Sequence, residues 1–301
     1  MKILISGASG FVGQALVHAL RAEGHTVARM VRPGGEVSPG DVSWDPMSAT
    51  SDVSAMEGAD AVVNLSGASI ATGRWTRERK ATLRDSRIGC TRVLVDTLLQ
   101  LQRKPRIFLS ASATGYYGDR AGELLTEASP PGTDFLALLA RDWEAEAVRA
   151  EHGGIRTVLL RFGIILSAHG GALPKMLLPF KFAAGGRFGS GRQWMSWIGL
   201  EDSIGIIRAA LTDERLSGPV NVVAPHPLQN VEFTRIVAAA VRRPAIFPAP
   251  AFALRLLLGE MAGPLLLASQ RVLPERLLSL GYSFRCDDFA TTLRTLLHAH
   301  H

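Results

Sequence analysis

The chain is poor in the residues that would tie it to oxidised, metal-bound or membrane settings. Of its 301 residues only two are cysteine, Cys90 and Cys286. They lie far apart and at no metal or redox spacing, which excludes a disulfide framework and fits a reducing cytosol. No apolar run is clean enough to span a bilayer: the stretch 252–268 is interrupted by Arg255, Glu260, Gly263 and Pro264. The apolar N-terminus is cut by Gly7, Gly10 and Gly13 and shows no small-residue cleavage site, so it does not read as a signal peptide. A cytoplasmic protein without a membrane partner is expected. Internal repeats and low-complexity segments are absent. Tyrosine is scarce, with Tyr116, Tyr117 and Tyr282 alone available for phenolic proton chemistry.

The net charge of +6 is spread along the chain rather than gathered into a basic stripe. No nucleic-acid-binding module is recognisable, so no nucleic-acid partner is expected. The densest cationic stretch, Arg74 to Arg92, has a helical look with interleaved acids. It reads as a solvated helix face, with the alternative that some of its arginines bind an anionic ligand.

What is present is most informative at the start. Residues 1–13 read MKILISGASGFVG, an apolar strand followed by Gly7, Gly10 and Gly13. Phe11, Ala15, Leu16, Ala19 and Leu20 then recur at helical spacing. Strand, glycine turn and helix N-terminus together form an anion cradle, in which backbone N–H groups and the helix dipole hold a pyrophosphate. Glycine permits positive φ and lets the backbone approach the ligand closely. Dinucleotide binding is therefore expected.

Apolar strand-like runs (2–6, 26–31, 61–65, 106–110, 156–165) alternate with helical stretches (11–23, 77–101, 135–151). Such alternation predicts an α/β fold, a doubly wound parallel sheet covered on both faces. A helix at 201–213 and a strand at 220–223 are expected to return to that sheet. Beyond residue 224 the texture changes: Pro225, Pro227, Pro244, Pro248 and Pro250 lead into leucine-rich helical segments. The expected division is a dinucleotide-binding domain over 1–224, with a substrate loop near 170–200, and a smaller, mainly helical part over 225–301.

The second strand, 26–31, is followed by Arg32, Pro33 and Gly34, with no acid to take a ribose 2′-hydroxyl. The guanidinium of Arg32 suits a 2′-phosphate, which favours NADP over NAD. Arg29 is a second candidate whose strand parity points it elsewhere.

The segments ISGASGFVG (5–13), DAVVNLSG (60–67), SASATGYYGD (110–119) and RFGIIL (161–166) resemble the extended short-chain dehydrogenases/reductases, which include nucleotide-sugar epimerases and dehydratases. The stretches 170–202 and 221–233, with RRPAIFPAPAFALRLLLGEMA and QRVLPERLLSLGYSF after them, resemble a narrower, uncharacterised epimerase-like subfamily named for a C-terminal domain of unknown function. The resemblance implies a Rossmann-type sheet and a nicotinamide cofactor, with no settled reaction. It places Gly7, Ser9, Gly10, Phe11 and Val12 around the pyrophosphate, and Leu65, Ser66 and Gly67 on the adenosine side. Ser112 matches the residue that bonds a substrate hydroxyl or carbonyl. Where relatives read Trp-Ile-His, this chain has Trp197, Ile198 and Gly199.

A larger departure concerns proton transfer. These enzymes carry Tyr-x-x-x-Lys on one helix face, where lysine lowers the tyrosine pKa and holds the nicotinamide ribose. No tyrosine here has lysine four residues on. Alignment through Glu144 puts Leu136 and Ala140 at the two positions, and neither transfers a proton. Tyr116 and Tyr117, close after Ser112, are the substitute candidates, with packing at a loop as the other reading. Asp142 and Glu144 are carboxylate alternatives.

On the substrate side, the glycine-punctuated region 170–197 combines cations with aromatics. Lys175, Arg187, Arg192 and Trp194 are its candidates for an anionic small-molecule substrate; the alternative is aromatics packing a C-terminal part onto the core. Arg74 and Trp75 are further cleft candidates. His169 and His226 read as loop histidines, and no spacing supports a metal. The expectation is an NADP-binding oxidoreductase or epimerase-like protein, with a catalytically inactive NADP-binding sensor or regulator as the alternative. The sequence leaves oligomeric state open.

Overall fold

A computed structural model describes residues 1–46, 53–182 and 184–298. A parallel sheet dominates it, made of β1 (Lys2–Ser6), β2 (Thr26–Val31), β3 (Val42–Ser43), β4 (Ala61–Asn64), β5 (Ile107–Ala113), β6 (Arg156–Phe162) and β7 (Gly218–Val222). Their spatial order is β7-β6-β5-β4-β1-β2-β3. The chain therefore winds outward from β1 in both directions, and the reversal falls between β1 and β4. In such sheets the crevice for a ligand opens at the carboxyl ends of the strands at this reversal.

Side-chain alternation explains why the strands read as unbroken apolar runs. Ile3 and Ile5 point to one face, beneath α1 (Phe11–Ala22), where they meet Leu16, Leu20, Ile206 and Leu160. Leu4 points to the other, beneath α2 (Cys90–Gln100) and α3 (Phe135–Val148), where it joins Val62, Leu94, Phe108 and Ala147. With both faces covered, most strand positions are apolar, and the buried polar ones gather toward the carboxyl ends. Ile206 comes from α4 (Leu200–Thr212), which closes the first face beside α1.

Two expected elements are subdivided for local reasons. The run 156–165 breaks at Gly163, where a Cβ would lie 2.6 Å from the Ser196 carbonyl oxygen. The chain leaves the sheet there, and Ile164–Ser167 pairs with Trp197–Gly199 instead. The helical stretch 77–101 is a helix at Arg77–Arg84, a wide π turn at Asp85–Gly89, and then α2. The short strand β3 escaped the sequence pattern because it is only two residues long.

The region 170–200 is more ordered than a loop. It holds a helix, Leu173–Lys181, and the short strands Trp194–Met195 and Trp197–Gly199. Phe180 and Trp197 are buried with Phe233, Phe289 and Leu293, so these two aromatics join the C-terminal segment to the sheet domain. The C-terminal part is mainly helical, including Asn230–Ala240, Ala251–Leu258 and Phe289–His298. Among the described residues no helix is long and apolar enough to cross a membrane.

Candidate functional site

The glycine turn sits at the sheet reversal. Gly7 has φ +69°, and a Cβ on it would lie 2.6 Å from the Leu65 backbone at the exit of β4. A Cβ on Gly13 would lie 2.8 Å from Ala8 Cα, so α1 could not approach the turn. Gly10 precedes α1 with no side-chain cap. The first intrahelical bond runs from the Gln14 N–H to Gly10 at 2.9 Å. The N–H groups of Phe11, Val12 and Gly13 precede it and face the turn, with the positive end of the helix dipole behind them. Ser9 lies exposed on the same turn. The turn thus offers the backbone donors that a dinucleotide pyrophosphate needs.

Across the reversal, the Leu65 N–H bonds the Ser6 carbonyl at 3.1 Å, and the Ser66 N–H bonds Asn64 Oδ1 at 3.3 Å. Asn64 Oδ1 also accepts from the Ser6 hydroxyl at 2.7 Å, and Asn64 Nδ2 donates to Thr91 Oγ1 at 2.8 Å. This buried side-chain chain fixes the exits of β1 and β4 against α2. Gly67 follows, under the Arg87 guanidinium. The glycine at 170–171 lets the Phe11 ring pack down: a Cβ on Gly170 would lie 2.7 Å from Phe11 Cδ2.

At the end of β2 the two arginines separate. Arg29 is held by Asp41, with Nε 3.0 Å from Oδ1 and Nη2 2.5 Å from Oδ2. Those hydrogen bonds hold the Asp41 carboxyl below the usual carboxylate range. Arg32 is exposed and forms no ion pair among the described residues. Burial raises the Cys90 thiol pKa, Arg32 pulls it down, and Asp45 pushes it up. Asp45 lies at the exit of β3, a strand too short to be seen in the sequence.

Beyond β4, the chemistry-bearing residues form a buried polar network. Ser112 Oγ donates to Glu144 Oε1 at 2.6 Å. Arg161 grips the same carboxylate at both oxygens, each at 2.8 Å. Arg161 also donates to the Tyr117 hydroxyl at 2.9 Å, and that hydroxyl donates to Asn221 Oδ1 at 2.6 Å. The Asn221 N–H bonds Glu127 Oε1 at 3.1 Å. Burial pushes the Tyr117 phenol up to about 12, and it raises the Glu127 carboxyl. Burial works against the charge on Arg161, but the Glu144 hydrogen bonds and charge outweigh it and keep the guanidinium protonated.

This network separates the two tyrosines. Tyr117 is fully buried, and its hydroxyl both accepts and donates inside the network. A phenol so enclosed positions Arg161 and Asn221; it has no face for a ligand. Tyr116 is half-buried, and its ring lies 3.6 Å from the Arg161 guanidinium carbon, a cation–π contact. Glu144 is engaged with Ser112 and Arg161, and Asp142 pairs outward with Arg84 and Arg141. Leu136 and Ala140 are buried on the same face of α3 as Glu144, and Leu136 packs where a Cβ on Gly115 would touch it at 3.4 Å.

The substrate-side candidates are less gathered. Lys175, Arg187 and Arg192 are exposed, on the 173–181 helix and the glycine-rich segment after it. Trp194 is half-buried beneath Arg271, whose guanidinium carbon lies 4.4 Å from its ring. Arg271 went unnoticed in the sequence because nothing in its spacing marks it. Arg74 and Trp75 do not face a cleft. Arg74 donates to the Leu256 carbonyl at 2.7 Å, capping the Ala251–Leu258 helix, and Trp75 is buried edge-on to Phe135. A Cβ on Gly199 would lie 2.9 Å from Cys286 Sγ, so a larger residue there would require Cys286 to shift. Among the described residues no group of three His, Cys, Asp or Glu side chains could hold a metal.

The model of the NAD dependent epimerase/dehydratase family matches residues 3–224, covering the sheet and the cradle. The chain belongs to this family. A second model, a domain of unknown function, matches residues 249–296. The epimerase family protein ML0860 of Mycobacterium leprae is 41% identical over 291 residues, 97% of this chain and 94% of its own. The crystal structure of human epimerase family protein SDR39U1 (isoform 2) with NADPH superposes with a TM-score of 0.89 at 31% identity, covering 99% of each chain. Thermus thermophilus UDP-glucose 4-epimerase, solved with NAD, has a TM-score of 0.76 at 17% identity over 99% of this chain and 98% of its own, a likeness of fold. As a family member, the chain is an NAD(P)-binding protein.

Proposed function

We propose that this family member is an NADP-dependent oxidoreductase or epimerase-like enzyme acting on an anionic small molecule. The observation that carries the cofactor choice is Arg32. It is exposed at the end of β2 and forms no ion pair among the described residues, while Arg29 beside it is already committed to Asp41. A free guanidinium there favours a 2′-phosphate and leaves a bare 2′-hydroxyl without its customary acidic partner. NADPH in the human relative's structure supports the same reading.

When bound, the nicotinamide supplies or accepts hydride. The protein's part is to hold and orient. Ser112, its proton directed to Glu144, presents oxygen lone pairs at the exit of β5. Tyr116 is the proton donor in this reading, because Tyr117 is sealed and Leu136 and Ala140 are inert. Arg161 lies under the Tyr116 ring in a cation–π contact that holds the ring in place. Lys175, Arg187, Arg192 and Trp194 supply charge and a flat surface for the substrate.

The test is loss of reduced-nicotinamide absorbance across a panel of small carbonyl compounds, for wild type, Ser112→Ala and Tyr116→Phe. Turnover that falls in both variants while NADPH still binds supports the proposal. The buried Leu136 and Ala140 favour a second reading, a sensor without catalysis. That reading gains if NADPH binds tightly, no compound is turned over, and NADPH changes the assembly state.

A further inference from the structure

The cationic stretch 74–92 is mostly accounted for by visible partners. Lys80 pairs with Glu260, Arg84 with Asp142, and Arg92 with Glu146. Arg74 caps a helix through the Leu256 and Leu257 carbonyls. Arg77 lies in solvent. Arg79 and Arg87 differ: both are half-buried, and neither forms an ion pair with a carboxylate among the described residues.

Arg79 donates through Nη2 to the Ser69 carbonyl, and its enclosed Nε has no hydrogen-bond partner. Arg87 sits in the π turn, wedged between Gly67 and the Trp143 ring, with its guanidinium carbon 5.3 Å from the ring centre. A Cβ on Gly67 would lie 3.1 Å from that carbon. Burial, with the Arg79 charge added, brings the Arg87 pKa down to about 10. The nearest acids in sequence do not relieve this. Glu78 is occupied with the start of its own helix, and Asp85 is exposed. Arg79 bonds the Ser69 carbonyl and Arg87 packs on Gly67, so two like charges lie along the same 67–70 segment, which is unfavourable unless something neutralises them. Arg87 lies within the π turn, and such turns recur at ligand sites.

We propose that Arg79 and Arg87, with the 67–70 segment, form an oxyanion subsite at the exit of β4, for a phosphate group. That group is carried either by the cofactor or by a second ligand beside it. The subsite requires no hydride transfer, so it stands or falls separately from the enzymatic reading.

Calorimetric titrations of wild type, Arg79→Gln and Arg87→Gln distinguish the two sources. In one arm, inorganic pyrophosphate is titrated into NADPH-saturated protein; in the other, NADPH is titrated into cofactor-free protein. Binding weakened at least about tenfold in the first arm alone assigns the subsite to a second ligand, and in the second arm assigns it to the cofactor. Affinities unchanged in both arms overturn the proposal. Melting in phosphate-free buffer guards against a merely structural role. Removing one of two repelling charges leaves the melting temperature level or higher, whereas a drop of more than about 5 °C in both variants, with Arg87→Lys restoring it, marks a packing role and contradicts the proposal.

Discussion

Ser112 and Glu144 are joined by a buried hydrogen bond of 2.6 Å, and Arg161 holds the same carboxylate at both oxygens. The serine therefore has its proton already assigned, toward Glu144. The bond also links β5 to α3, and Arg161 links both to β6. Site geometry and fold stability are coupled at this point.

Glu144→Gln is expected to cost about 3–5 kcal/mol, because it leaves Arg161 as a buried cation without its counter-charge. Equilibrium urea unfolding checks this. A loss under about 1 kcal/mol would mean that water or Glu127 compensates Arg161.

The two tyrosines are expected to part company. Tyr117→Phe removes a hydroxyl bonded to Arg161 and Asn221 and should cost about 1–3 kcal/mol of stability. Tyr116→Phe should change stability by less than about 0.5 kcal/mol while lowering turnover about 10²–10⁴-fold. Unfolding curves and initial rates on the same preparations separate them.

Gly7→Ala puts a Cβ 2.6 Å from the Leu65 backbone at φ +69°. Strain of about 1–3 kcal/mol and loss of detectable NADPH binding are expected, read by thermal unfolding and fluorescence titration.

Asp41 carries a pH signature. Its carboxyl is held low, first by the Arg29 hydrogen bonds. A carboxyl whose folded pKa lies below its unfolded value contributes stability above the unfolded value, about 3.9, and loses it as pH falls through the folded one. Asp41→Asn is therefore expected to be less stable than wild type at pH 7. The gap should close on acidification below about pH 4, as followed by unfolding at stepped pH.

Much of the fold was legible because β1, β2 and β6 are buried on both faces and α1 carries a regular apolar stripe. The glycine turn before α1 was legible because its glycines answer to backbone geometry alone. Strand β3 was not, since two residues carry no period. The π turn was hidden because residues 77–101 keep helical composition through it. The pairing of Ser112 with Glu144 was also invisible, since it joins residues 32 positions apart on different elements. Arg161, in the RFGIIL segment, read as a fold motif; only the folded chain puts it against Glu144, Tyr116 and Tyr117. Arg74 and Trp75 looked like cleft residues because sequence shows charge and aromaticity but not direction.

The cofactor preference is the claim on which the functional account turns, and calorimetric titration of NADPH and NADH into wild type and Arg32→Glu tests it most directly. Wild type is expected to bind NADPH at least about tenfold more tightly than NADH, through charge-assisted bonds to the 2′-phosphate, and Arg32→Glu to abolish or reverse the preference. Equal affinities in wild type, or a preference unchanged by Arg32→Glu, would contradict it.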